Sequence, residues 1–278
     1  MSAPAAPLFF AALTLWHAYQ GEERAALERA IAEENALFRA SERIEPLAIP
    51  FDAFARKLET AAPRGHGPDL FIAAHDRLGD WRRAGVVAGL GPPGPRDHRG
   101  EDAPLFDAFT VEGELYAVPV GFKALFLYWN RALLPDGPPA DARELFTLAA
   151  RLRPRGAAAL AYDAGSFFFH APFFFAFGGA LFDGDRVAVF DESGARSFAY
   201  VKRLSDAGAI PRETSSRIAL ELFNHDRAAL VLSGPWFAGD VTLPRERWGI
   251  APLFSVEGRP AGSFVSVEGV FARERALR

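Results

Sequence analysis

The stretch from Ser166 to Phe177 reads Ser-Phe-Phe-Phe-His-Ala-Pro-Phe-Phe-Phe-Ala-Phe, with seven phenylalanines in eleven residues. Rings at this density need a core or a ligand to cover them. One reading is a lobe core that also packs the following helix. The other is a stacking surface, because the C–H face of a pyranose is apolar and flat rings suit it. The remaining reactive groups are scattered. His17, His66, His75, His98, His170 and His225 form no i, i+4 pair. A metal site wants several converging nitrogen and oxygen ligands, so each histidine reads as a hydrogen-bonded structural residue. Cysteine is absent, which removes disulfides, thiolate metal sites and cysteine nucleophiles. Glycoside hydrolysis needs two carboxyl groups across the scissile bond. Asp76 is one candidate, whereas Glu112, Glu114 and Glu268 read as solvated surface carboxylates.

Composition narrows the partners. A net charge of −4 over 278 residues offers no concentrated Lys and Arg for nucleic acid or an acidic membrane surface. The length is comfortable for two lobes. An apolar run at Leu8–Leu13 has no basic stretch ahead of it, as a secretion signal would, and is too short to span a bilayer. It leads into an expected buried strand at 13–16. If the protein is exported, the expectation is a signal trimmed or lying upstream.

These groups must be positioned by alternating elements. After the first strand and Gly21, a helix carries Leu27, Ala30, Ile31 and Phe38 near one face. A strand at 47–51, a helix with Phe54 and Leu58, and a strand at 69–74 follow. That order predicts parallel pairing with helices on the sheet faces. Residues 89–100, dense in Gly and Pro, must be loop. Extended segments are expected at 114–120 and 124–130. A helix over 142–152 opens on the capping-box pattern Asp141-Ala142-Arg143-Glu144. Later come a strand at 186–190, a helix over 194–207, strands at 228–233 and 248–253, and a last extended segment at 263–271.

Seven segments in register carry a family resemblance: Leu13-Thr14-Leu15-Trp16-His17, Gly67-Pro68-Asp69-Leu70-Phe71, Ala74-His75-Asp76-Arg77-Leu78-Gly79, Tyr116-Ala117-Val118-Pro119-Val120, Leu127 through Pro135, Phe177-Gly178-Gly179, and Phe223-Asn224 leading into Ser233-Gly234-Pro235-Trp236. Together they resemble the maltose/maltodextrin-binding branch of ABC-transporter solute-binding proteins over nearly the whole chain. The resemblance implies an α/β, two-lobed periplasmic-binding-protein-like fold, each lobe a mixed sheet flanked by helices and joined by hinge strands. Residues 1–119 with 265–278 would form the first lobe and 120–264 the second. It further implies non-catalytic capture of a small polar solute, a sugar or oligosaccharide, in an inter-lobe cleft. Delivery would be to the permease of an ABC importer, in a periplasmic or other extracytoplasmic setting, with no cofactor and no metal.

Residue by residue, Asp76 and Arg77 match a pair that hydrogen-bonds sugar hydroxyls. A carboxylate can accept from two adjacent hydroxyls and a guanidinium donates as a planar fork; the alternative is an Asp–Arg surface pair. Trp236 matches an aromatic platform, or is a core tryptophan after a Gly-Pro turn. Phe168 stands where the family has a stacking tyrosine. Departures accompany these matches. Lys123 replaces an acidic sugar ligand, which suits a ligand with an acidic substituent or a side chain pointing to solvent. Ser166 falls on another acidic position, Ala73 replaces a tryptophan, and Gln20 and Gly21 replace an acidic-and-basic pair. Glu45 stands near a further acidic position. Losing hydrogen bonds to charged groups costs about 1.5–3 kcal/mol each, so maltose specificity does not carry over. Family members also continue past the last strand. A domain fused to, or excised from, a permease chain is one expectation, and a fused or truncated module regulating a transporter without its own ligand is the alternative function. A glycoside-processing enzyme is the remaining rival.

Overall fold

The computed structural model describes residues 12–39, 42–94 and 102–277. Most of the apolar run at 8–13, and residues 95–100 of the Gly/Pro-rich loop, lie outside the described residues. The chain divides into two compact units, Met1–Lys123 with Ser266–Arg278, and Ala124–Val265.

The first unit opens with β1 (Leu13–His17), α1 (Gly21–Asn35), β2 (Ile44–Ala48), α2 (Phe51–Ala61), β3 (Leu70–Ala74) and α3 (Leu78–Arg83). Then come α4 (Ala103–Asp107), the small hairpin β4 (Thr110–Val111) and β5 (Glu114–Leu115), and β6 (Ala117–Lys123). Strand–helix–strand order gives parallel pairing, β1 with both β2 and β3, as the alternation predicts. Two boundaries differ from the expectation. The second strand is displaced toward the N-terminus, because Phe51 opens a helix behind Pro50. Phe38 belongs to no helical face: α1 stops at Asn35, whose amide donates to the Ile44 carbonyl and accepts from the Ile44 N–H, both at 2.8 Å. That double bond turns the chain straight into β2.

The second unit contains β7 (Phe126–Asn130), α5 (Glu144–Leu152), β8 (Ala158–Ala161), α6 (Phe167–Ala176), the hairpin β9 (Phe182–Asp183) and β10 (Arg186–Val187), and α7 (Glu192–Asp206). It continues with α8 (Ser216–Asn224), β11 (Ala228–Ser233), β12 (Trp248–Ala251) and the hairpin β13 (Ser255–Val256) and β14 (Arg259–Pro260). Its main sheet runs β12-β7-β11-β8, with β8 and β11 parallel and β7 antiparallel to both neighbours. Half of the expected capping box forms: Glu144 Oε1 accepts from Asp141 N at 3.2 Å, but Asp141 Oδ1 accepts from Arg143 N at 2.8 Å rather than from Glu144 N, and the helix begins at Glu144. The strand expected at 186–190 is a two-residue arm, and β12 stops at Ala251 because Pro252 has no N–H for the ladder.

β15 (Ser266–Ala272) then returns to the first unit, completing the order β2-β1-β3-β15-β6. It is antiparallel to β3 and β6. It begins later than the extended segment expected at 263–271, since the Ser263 hydroxyl is taken up by the Leu125 N–H at 3.0 Å. One sheet face buries Phe71, Trp81, Phe109 and Phe271, with Phe71 and Phe271 stacked at 5.0 Å. The opposite face packs Leu15 and Ile72 against Ile31 of α1. At Gly269 a side chain would collide with the Phe109 ring, so this strand position admits only glycine. Among the described residues, no helix is long and apolar enough to cross a membrane.

Candidate functional site

Open α/β sheets present ligands at the carboxyl ends of their parallel strands, and both units place chemistry there. In the first unit β1 ends into Tyr19 and Gln20, and β3 ends into a single turn of 3₁₀ helix, His75–Arg77. Glu268 of β15 lies opposite Ala74, the last residue of β3, and Lys123 of β6 lies opposite Ser266. Side chains two apart on a strand share a face. Glu268 and Lys123 therefore stand on one face, the α1 side that Tyr19 also lines.

There they converge. Lys123 Nζ lies 3.2 Å from Glu23 Oε1, in the first turn of α1, and 3.3 Å from Glu268 Oε2. It also sits 4.9 Å from the centre of the Tyr19 ring. The Tyr19 hydroxyl donates to Glu268 Oε2 at 2.9 Å. Burial, reinforced by the Glu268 charge, pushes the phenol pKa well above its usual range. Lys123 and Glu268 are 16% and 18% exposed at their side chains, so two readings need correction. Lys123 neither points to solvent nor stands as a free cation, and Glu268 is not a solvated surface carboxylate. A register irregularity between Glu268 and Gly269 leaves Val120 as the extra residue on β6; such bulges re-aim the side chains beside them. Beneath the node His17 is fully buried, its Nδ1 accepting from Tyr19 N at 3.2 Å and its Nε2 without a partner. Burial and the nearby Arg24 hold its pKa below the normal value.

Asp76 is exposed, and among the described residues its carboxylate has no hydrogen bond or ion pair. Arg77 does not pair with it. Its guanidinium donates to Glu59 Oε1 of α2 at 3.1 Å, an oxygen that the Trp81 indole N–H also donates to at 3.1 Å. The alternative reading, a surface Asp–Arg pair, gives way to an Arg77–Glu59 bridge. Gln20 is exposed just ahead of α1, and Glu45 is exposed on β2 opposite Thr14. Among the described residues, neither side chain hydrogen-bonds to Lys123, Glu23 or Glu268.

In the second unit β8 and β11 end side by side. β8 leads through Ser166 into α6, and β11 leads through Gly234 into the 3₁₀ turn Pro235–Asp240. This brings Phe168 to Trp236, ring centres 6.3 Å apart, and adds Phe169 of the same phenylalanine run and Phe264, which sequence reasoning missed. Phe169 meets Trp236 edge-on at 6.4 Å, and Phe264 stacks on Phe168 at 5.9 Å. Trp236 remains 37% exposed, which excludes its reading as a core tryptophan. Its indole folds over Gly234, where any side chain would occupy the ring's place. The Gly234 carbonyl is held by the Tyr128 hydroxyl at 2.9 Å. Ser166 caps α6 through its backbone only. The phenylalanine run divides: Phe173 and Phe174 are fully buried, while Phe167, Phe168, Phe169 and Phe175 are partly open. Neither of the two initial readings of that run is sufficient alone. Phe264 could have been sought as the other aromatic flanked by small residues, Ser263 and Val265, but nothing local marks its partner.

The two units and the polar and aromatic strand ends define a class, a helix-flanked α/β binding protein. Residues 43–273 match the family described as bacterial extracellular solute-binding protein, and the chain belongs to that family. Among curated relatives, it is 22% identical over 206 residues to the maltodextrin-binding protein MdxE of Bacillus subtilis, covering 69% of this chain and 48% of that protein. It is 27% identical over 209 residues to the maltotriose-binding protein of Pyrococcus abyssi, covering 70% and 44%. It is also 20% identical over 240 residues to a galactooligosaccharide-binding protein of Bacillus subtilis, covering 81% and 57%. The chain thus spans about half the length of the curated relatives it matches.

Proposed function

We propose that this chain binds a sugar or oligosaccharide without transforming it, as the receptor part of an ABC importer working outside the cytoplasm. The observation that carries the reading is the half-open shelf of Phe168, Phe169, Trp236 and Phe264 at the ends of β8 and β11. An apolar platform that stays partly uncovered is what the C–H face of a pyranose needs. The names of three relatives, binding proteins for maltodextrin, maltotriose and galactooligosaccharide, support the same class of ligand. Under this reading each unit is a lobe with its own ligand groups. The second supplies the aromatic shelf with Ser166 at its rim; the first supplies hydroxyl acceptors, Asp76 and the carboxylates around Lys123, with Gln20 and Glu45 further out and Arg77 as a donor.

The test is calorimetry and thermal shift against maltotriose, longer maltodextrins, galacto-oligosaccharides and common monosaccharides. A sugar at a hundred times its Kd raises the stability by about 2.7 kcal/mol. Trp236→Ala is expected to weaken that sugar about tenfold to a hundredfold while leaving the fold intact. A protein that no sugar shifts, or whose affinity is indifferent to losing Trp236, would overturn the reading. So would turnover of aryl glycosides abolished by Asp76→Asn.

A further inference from the structure

We propose that Lys123 is a specificity-determining residue that commits the first unit to uncharged solutes and turns anionic ones away; this rests on the sugar-binding reading above. A lysine beside a ligand site ordinarily invites a carboxylate or phosphate. Here the ammonium has nothing left to offer. Its three N–H donors meet three neighbours: Glu23 at 3.2 Å, Glu268 at 3.3 Å and the face of Tyr19 at 4.9 Å. Two carboxylates around one ammonium leave the node with a net charge of about −1. The negative charge that the family resemblance implies at this position is therefore supplied, with excess, by Glu23 and Glu268.

The groups still able to bind are acceptors. Glu268 Oε2 already accepts from both Lys123 and the Tyr19 hydroxyl, which leaves Oε1 for an incoming donor. Glu23 holds Lys123 Nζ with both oxygens, at 3.2 and 3.3 Å, and at 40% side-chain exposure the carboxylate still has lone pairs that face solvent. A neutral polyol brings hydroxyl donors and fits. A uronate brings a further negative charge to a node whose one ammonium is already held between two carboxylates, and like charges in a partly desolvated site repel. Lys123 thus acts as a positioning residue. It holds two mutually repelling carboxylates close together and fixes the direction in which they accept.

The experiment compares the tightest-binding neutral sugar of the panel with the same sugar oxidised at its primary hydroxyl to the carboxylate. Both are titrated into the intact chain and into Lys123→Met and Lys123→Arg. The wild type is expected to bind the carboxylate at least about tenfold more weakly than the neutral sugar. Lys123→Met is expected to weaken the neutral sugar by about tenfold without improving the carboxylate, because Glu23 and Glu268 splay apart. Lys123→Arg, which keeps the charge and the donors, is expected to stay within about threefold of wild type for the neutral sugar. A carboxylate that binds as well as the neutral sugar overturns the inference alone, and so does a neutral affinity untouched by Lys123→Met. If Lys123→Met fails to fold, the wild-type comparison decides by itself. A chain that no sugar binds overturns the sugar reading and this inference together.

Discussion

His170 shows what a buried imidazole does to the fold. The Ser197 hydroxyl donates to the Gly194 carbonyl at 2.8 Å, so it must accept from His170 Nε2 at 2.9 Å. The ring also lies flat on Phe198 at 4.1 Å. This tie between α6 and α7 suits the neutral imidazole, and burial lowers its pKa to about 4. The unfolded chain, with an ordinary value near 6.5, takes up the proton first as pH falls. Stability is therefore complete above about pH 6.5 and drains between there and pH 4, by up to about 3 kcal/mol. Urea melts between pH 7 and 4.5 should show that decline, and His170→Gln should flatten part of it, leaving the contribution of His17. A pH-independent midpoint would refute the assignment. At this scale the family resemblance singles out Lys123 by its charge, yet not its neutralisation. Tyr19 and Glu23 sit four residues apart where β1 passes into α1, but Lys123 and Glu268 come from distant strands, and their meeting depends on strand parity and register, which no local pattern contains.

Among the elements, α6 joins packing to recognition. An all-apolar helix has no periodicity to betray it, so the Ser166–Phe177 run is readable as aromatic-rich but not as helical. The structure shows its inner rings in the core and its first turn on the shelf. These roles separate by mutation. Phe173→Ala is expected to cost about 3–5 kcal/mol, the range for truncating a buried phenylalanine, with ligand affinity kept in the folded fraction. Phe168→Ala, partly exposed, is expected to cost clearly less stability and to weaken sugar binding. Denaturant titration paired with calorimetry distinguishes them, and equal stability losses would refute the division. The alternation that predicts β1, β3 and the parallel pairing was legible because half-buried strands and helices write their periods into the sequence. α8 was missed although Ser215 caps it, accepting from Ile218 N at 3.3 Å; with two serines and a threonine in a row, the start signal blends into the loop before it. β8 is a short Ala-rich strand, too brief to carry a pattern.

The molecule as a whole has separate cores. Phe71, Trp81, Phe109 and Phe271 anchor the first unit, and Leu127, Leu145, Phe173 and Tyr200 the second. Each buries large side chains completely. Independent cores weaken all-or-none unfolding. Scanning calorimetry of the ligand-free chain should give a calorimetric enthalpy larger than the van't Hoff value, and Phe271→Ala should lower one component while sparing the other. A single transition displaced as a unit would show instead that the cores are tightly coupled. The expected boundaries at 119/120 and 264/265 rested on the family resemblance rather than on any linker; the compact units divide at Lys123–Ala124 and Val265–Ser266.

The placement of β15 has a consequence for biogenesis. It lies between β3 and β6 rather than at an edge, but it leaves the ribosome after the entire second unit. Until then β3 and β6 are strands without the neighbour that joins them, and Phe71 lacks the ring it stacks on. Vectorial synthesis therefore lets the later-made unit mature first, while the earlier-made one waits with an open seam. A holdase covering that seam would serve this chain better than one acting on its finished surface.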